Sequence, residues 1–282
     1  MDTNYQVGLT WARQPQLRVL FHASPHFTLG LSLENTQPYI GGSAGAAVVT
    51  LPGGASGPYA AQLNSGNTAF AAPGFTPDVI AKLAYDSDPS GGGIHLELAG
   101  LESEFRLRDP VTAVTQHAAG TGVEGDAAWK PFRPLRLFAN SFVGDGGGRY
   151  FFGLAPDLIV RQDGTPAPLL TRGGMTGAEY QIDRADLFYT YYGGLVVTPN
   201  FDLSGATPVG YGYLGSPAGQ NRTVQEATLG LNRTLWASPR SGSLQLLTQF
   251  SYVARAPFRA AAGAPPSAHA LLAYADLRFN LP

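Results

Sequence analysis

Apolar and polar residues alternate with a period of two along most of the chain, the spacing of strands that show one face to an apolar medium and the other to water. The last run is the clearest: Leu271, Ala273, Ala275, Leu277, Phe279 and Leu281 share one face, and Tyr274, Asp276, Arg278 and Asn280 the other. The same dyad sets Phe27, Leu29, Leu31 and Leu33 against Thr28, Gly30, Ser32 and Glu34, and Val79, Ala81, Leu83 and Tyr85 against Lys82 and Asp86. It returns in Ile94, Leu96 and Leu98 against His95 and Glu97, in Leu229 and Leu231 against Thr228, Gly230 and Asn232, and in Leu244, Leu246, Phe250 and Tyr252 against Gln245, Gln249 and Ser251. Helical periodicity is nearly absent.

The pattern predicts strands at 5–12, 16–22, 26–35, 77–86, 93–106, 119–129, 134–144, 172–182, 185–198, 223–236, 242–255 and 268–281. Most approach the roughly 9 to 11 residues that a tilted strand needs to cross a bilayer. After the second strand the connections alternate: short at 23–25, 87–92, 130–133, 183–184 and 237–241, long at 36–76, 107–118, 145–171, 199–222 and 256–267. Short turns on one side and long loops on the other are the arrangement of an outer-membrane barrel. Next to the short turns the apolar phase carries Phe21, Phe27, Tyr85, Trp129, Tyr180 and Phe279, as an interfacial aromatic girdle does. Trp236 falls out of phase unless a bulge intervenes. The connection 13–15 is short where the alternation demands a long one, so 5–12 reads either as a strand or as the tail of a loop.

Composition sharpens this picture. Charged residues make up 13% of the 282, about half the usual share of a soluble globular chain. The 36 glycines and 22 prolines come with 13 tyrosines and 15 phenylalanines, and aromatics in regular alternation exclude disorder. The net charge of -2 and scattered basic residues give no footprint for nucleic acid. No apolar stretch reaches 18 residues, so any crossing must use strands. Zero cysteines exclude disulfides and thiolate metal sites. The fold class is therefore all-β, an antiparallel transmembrane β-barrel over 1–282. Met1-Asp2-Thr3-Asn4 lacks the basic and apolar regions of an export signal, and the expectation is a chain that starts inside a longer gene product.

Several segments resemble the DcaP-type porins, trimeric outer-membrane channels. They are Pro15-Gln16-Leu17-Arg18, Leu31-Ser32-Leu33-Glu34-Asn35, Pro77-Asp78-Val79-Ile80-Ala81-Lys82, and Gly144-Asp145-Gly146-Gly147-Gly148-Arg149-Tyr150. Others are Gly153-Leu154-Ala155-Pro156-Asp157, Tyr191-Tyr192-Gly193-Gly194, Val224-Gln225-Glu226 and Leu277-Arg278-Phe279-Asn280-Leu281-Pro282. The resemblance implies a homotrimer in bacterial outer-membrane lipid, passing small organic and often anionic solutes. It also implies a barrel of about 16 strands. The strands read here would then be its C-terminal part, N-terminally truncated.

The water-facing phase supplies the pore-lining candidates Arg18, Glu34, Lys82, Glu97, Arg136, Glu179, Glu226, Asp276 and Arg278, since rings of such charges set pore selectivity. Segment 145–171 adds Arg149 and Arg161. Its Tyr150-Phe151-Phe152 and Leu158-Ile159-Val160 are too apolar for a solvated loop. It is either a constriction loop folded into the barrel, with both arginines offered to solute, or an external hairpin against a neighbouring subunit. Gly-rich stretches at 91–93 and 146–148 open no helix and lack a following Lys-Ser or Lys-Thr, so they are turns. The five histidines lack ligand spacing, and neither cofactor, metal nor catalytic residue is expected. The competing classes are an outer-membrane phospholipase-type enzyme and a soluble β-sandwich binding module, which would bury its apolar face.

Overall fold

The computed structural model describes residues 6–12, 14–35, 39–40, 48–50, 54, 56–58, 61–62, 76–88, 92–151, 154–204, 206–216, 220–258, 263 and 265–281. Tyr5, Gly91, Phe152 and most of 36–76 lie outside them. One antiparallel sheet of 11 strands runs in unbroken chain order. Its members are β1 (Gln16–His22), β2 (Phe27–Glu34), β3 (Asp78–Asp86), β4 (Gly93–Arg108), β5 (Thr115–Phe132) and β6 (Leu135–Asp145). They continue as β7 (Leu170–Gln181), β8 (Asp186–Val197), β9 (Asn221–Ser238), β10 (Gly242–Pro257) and β11 (Ala268–Asn280). Each strand hydrogen-bonds only to its chain neighbours among the described residues, so the outer edges of β1 and β11 have no ladder partner and the sheet is not closed.

Tight links stand at one end of the sheet. Asp183 Oδ1 accepts the backbone N–H groups of Ala185 (2.7 Å) and Asp186 (2.9 Å), and these bonds hold its carboxyl below the usual range. Ser24 Oγ does the same for His26 and Phe27. Gly242 turns into β10 at φ 91°, where a Cβ would stand 2.0 Å from the Asn280 carbonyl oxygen.

The two faces differ as the alternation requires. Leu229 and Phe250, directly paired, share the outer face with Leu271 and Leu277, and Phe250 is 60% and Leu271 81% exposed. Phe21, Phe27, Trp129, Tyr180 and Phe279 are all exposed near the tight links, and Tyr85 packs against Phe27 with ring centroids 5.1 Å apart and planes tilted by 46°. The register shifts between Thr234 and Trp236, which sets Trp236 opposite Leu244 and swings it to the outer face. That is the bulge its phase demanded. No second sheet covers this apolar face among the described residues, contrary to a sandwich.

Two expectations on extent change, and one open alternative closes. The ladder of β4 and β5 continues to Arg108 and Thr115, past the apolar stretch, because backbone pairing does not depend on the alternation of side chains. Residues 6–12 form no wall strand. They run across the inner face, and their only ladder contact among the described residues is the bridge Trp11–Phe151. Segment 145–171 folds inward: Phe151, Leu158, Ile159, Val160 and Leu169 are buried against Phe105, Leu107, Phe142, Leu195 and Val197 of the wall. Gly148–Tyr150 makes one 3-10 turn on the way.

Candidate functional site: the inner face

Side chains on the inner phase of β1 to β6, with Thr10, Trp11, Ala12 and Tyr150 over them, enclose a recess of about 340 Å³. Of the expected pore-lining residues it brings together Arg18, Glu34, Lys82 and Glu97. Lys82 Nζ donates to both carboxylate oxygens of Glu97, at 2.9 and 2.8 Å, across β3 and β4. His95 extends the chain, with Nδ1 2.6 Å from Asp86 Oδ1 and Nε2 3.1 Å from Glu97 Oε1. Two carboxylates missed in the sequence complete the recess, Glu124 and Asp126 of β5. They were legible: Val123 and Trp129 face outward, so the even positions between them face in.

The remaining candidates stand apart. Arg136 Nη1 donates to Glu179 Oε2 at 3.1 Å, and Tyr191 OH donates to the other oxygen of Glu179 at 2.9 Å. Asp276 and Arg278 lie 3.6 Å apart on β11. Glu226 is buried: its Oε2 accepts the Val7 N–H at 3.0 Å, and its Oε1 accepts the Thr228 hydroxyl at 3.3 Å. From Thr228 a buried polar chain continues through Ser251 and Gln249 to the Tyr189 hydroxyl.

Arg149 is not offered to solute. Its guanidinium is buried between Asp78, which it contacts through Nη2, and Asp157, 3.1 Å from Nη1. It also donates to the Gly146 carbonyl at 3.0 Å and to Ser103 Oγ at 3.3 Å. Asp157 accepts the Arg149 backbone N–H as well (2.9 Å), and Tyr150 OH donates to Asp78 (2.9 Å). The reason is energetic: an apolar loop docked on the wall would desolvate this arginine, and a charge survives such burial only when paired. Burial pushes the Tyr150 hydroxyl up to about 12. Arg161 is exposed at the turn 161–164, where its N–H bonds the Thr165 carbonyl; Asp163 and Gly164 of that turn lie beside Leu107, Asp109 and Val114. Neither arginine lines the recess.

No protein-family model matches the sequence, and no curated protein matches it. The fold matches the crystal structure of the outer membrane channel DcaP of Acinetobacter baumannii, with a TM-score of 0.66 over 98% of this chain and 17% identity. The chain spans 66% of that channel's length. At this identity the match concerns the fold: this chain has the antiparallel wall architecture of a porin.

Proposed function

We propose that the chain forms the wall of an outer-membrane pore through which small hydrophilic solutes diffuse passively. One observation carries the reading: an apolar, uncovered outer face backs onto an inner face of carboxylates, amines and hydroxyls. Lipid satisfies the first and water the second. The bare edges of β1 and β11 would each leave backbone groups unpaired in hydrocarbon, at several kcal/mol per group. In this reading further wall strands close the barrel, to about 16 as in the resemblance, and trimeric assembly is part of the same proposal. Localisation in the bacterial outer membrane follows.

Arg149 is held in buried ion pairs, and neither it nor Arg161 lines the recess, so other residues set the charge there. Glu34, Glu97, Glu124 and Asp126 face only Arg18 and Lys82 in the recess, so the local field favours cationic or zwitterionic solutes. Reversal potentials in a salt gradient test this. Lys82→Met shifts them toward cations, and Glu124→Gln with Asp126→Asn toward anions. Equal potentials in all three proteins would remove the recess from the permeation path.

A further inference from the structure

Residues 6–12, followed by Gln14, cross the inner face from β9 to β2 and are held there by specific contacts. Gln6 Nε2 donates to the Glu226 carbonyl oxygen and the Val7 N–H to the Glu226 carboxylate, both at 3.0 Å. Thr10 Oγ1 donates to Glu124 and accepts from Asn140 Nδ2 at 2.7 Å. The Trp11 N–H bonds the Tyr150 carbonyl at 2.7 Å. Gln14 reaches Glu34 and, at 3.1 Å, the Tyr150 hydroxyl. Leu9 packs beside Met175, Tyr189 and Tyr191.

The wall is shaped to receive this strap. At Gly193 a Cβ would stand 1.9 Å from the Val7 carbonyl oxygen, so β8 can carry no side chain there while the strap is seated. Gly8, at φ 90°, lies so close to β7 that its own Cβ would meet the Gly174 oxygen at 2.1 Å. Gln6 and Val7 are buried. A backbone laid directly on glycines, tied down by a buried glutamate, is a built seat.

We infer that residues 6–12 form the strap that narrows the pore, with Gly193 and Glu226 its seat and Gln14 its far anchor, so that the strap limits what passes and how fast. The inference rests on the pore reading above. It assigns to Gly193 and Glu226 control of pore width, a role distinct from contact with solute.

The test uses the full-length protein in planar bilayers, with heat-modifiable gel migration confirming a folded barrel. Gly193→Val removes the seat by filling it, and Glu226→Ala by withdrawing the anchor. Both should give larger single-channel conductance than the parent. Independently, Thr10→Cys with Asn140→Cys, in a chain that has no cysteine of its own, should form an intramolecular disulfide on oxidation. Failure of that disulfide in the folded protein, or parental conductance in both seat variants, overturns the strap. A parent that is folded and inserted yet passes no current sinks the pore reading instead, while the disulfide still reports whether the strap is seated.

Discussion

Replacing Arg149 with alanine strips a buried cation from between two carboxylates. Asp78 and Asp157 are fully buried, and the arginine side chain is 7% exposed, so solvent screens little of the loss. Breaking a buried pair by removing one partner costs about 3–5 kcal/mol, because the stranded charge stays desolvated. The cost falls on the element that Arg149 belongs to, since segment 145–171 can lift off while the ladder of 11 strands remains. At 1.4 kcal/mol per factor of ten, the population of the lifted loop rises by about two to three and a half orders of magnitude. Native-state hydrogen exchange at Leu158, Ile159 and Val160 reads that opening directly, and limited proteolysis within 145–171 reads it as faster cleavage. Unchanged protection in the folded variant would refute the assignment of Arg149 to loop anchoring. A change in ion selectivity with protection intact would return Arg149 to the permeation path.

Alkaline pH should loosen the same loop. The Tyr150 hydroxyl ionises less readily when folded, so its contribution is complete below about 10 and is lost as pH rises toward about 12; hydrogen-exchange protection of 158–160 falls across that window, and Tyr150→Phe abolishes the Tyr150 part of the fall. On the outer face, Phe250→Arg should cost about 2–4 kcal/mol if residue 250 lies in the mid-bilayer. In a water-soluble protein so exposed a site would tolerate the change within about 0.5 kcal/mol, and urea titration in lipid vesicles separates the two.

What the sequence revealed and what it hid follow one division. Strand phase is local, so Leu229, Phe250 and Leu277 announce the outer face, and even the bulge at Trp236 is visible as an aromatic out of step. Glu124 and Asp126 could have been read from the phase of Val123 and Trp129. The strap could not. Val7, Leu9 and Trp11 alternate as a lipid-facing strand does; the short connection 13–15 marked the segment as out of step, but only the long-range contacts to Glu226 and Gly193 place it on the inner face. Arg149 was ambiguous for the same reason: one of its partners, Asp78, lies 71 residues away, and nothing in Gly-Gly-Gly-Arg says that a carboxylate waits opposite. The apolar character of 145–171 did require a packing surface, and the inner wall supplied it.

The central claim is that this sheet is the lipid-facing wall of a water-filled pore. Single-channel recording of the purified full-length protein in a planar bilayer tests it most directly. The account predicts stepwise, ohmic conductance that depends on insertion from detergent. Folded protein that stays soluble and monodisperse without detergent, and that leaves the bilayer silent, would contradict it.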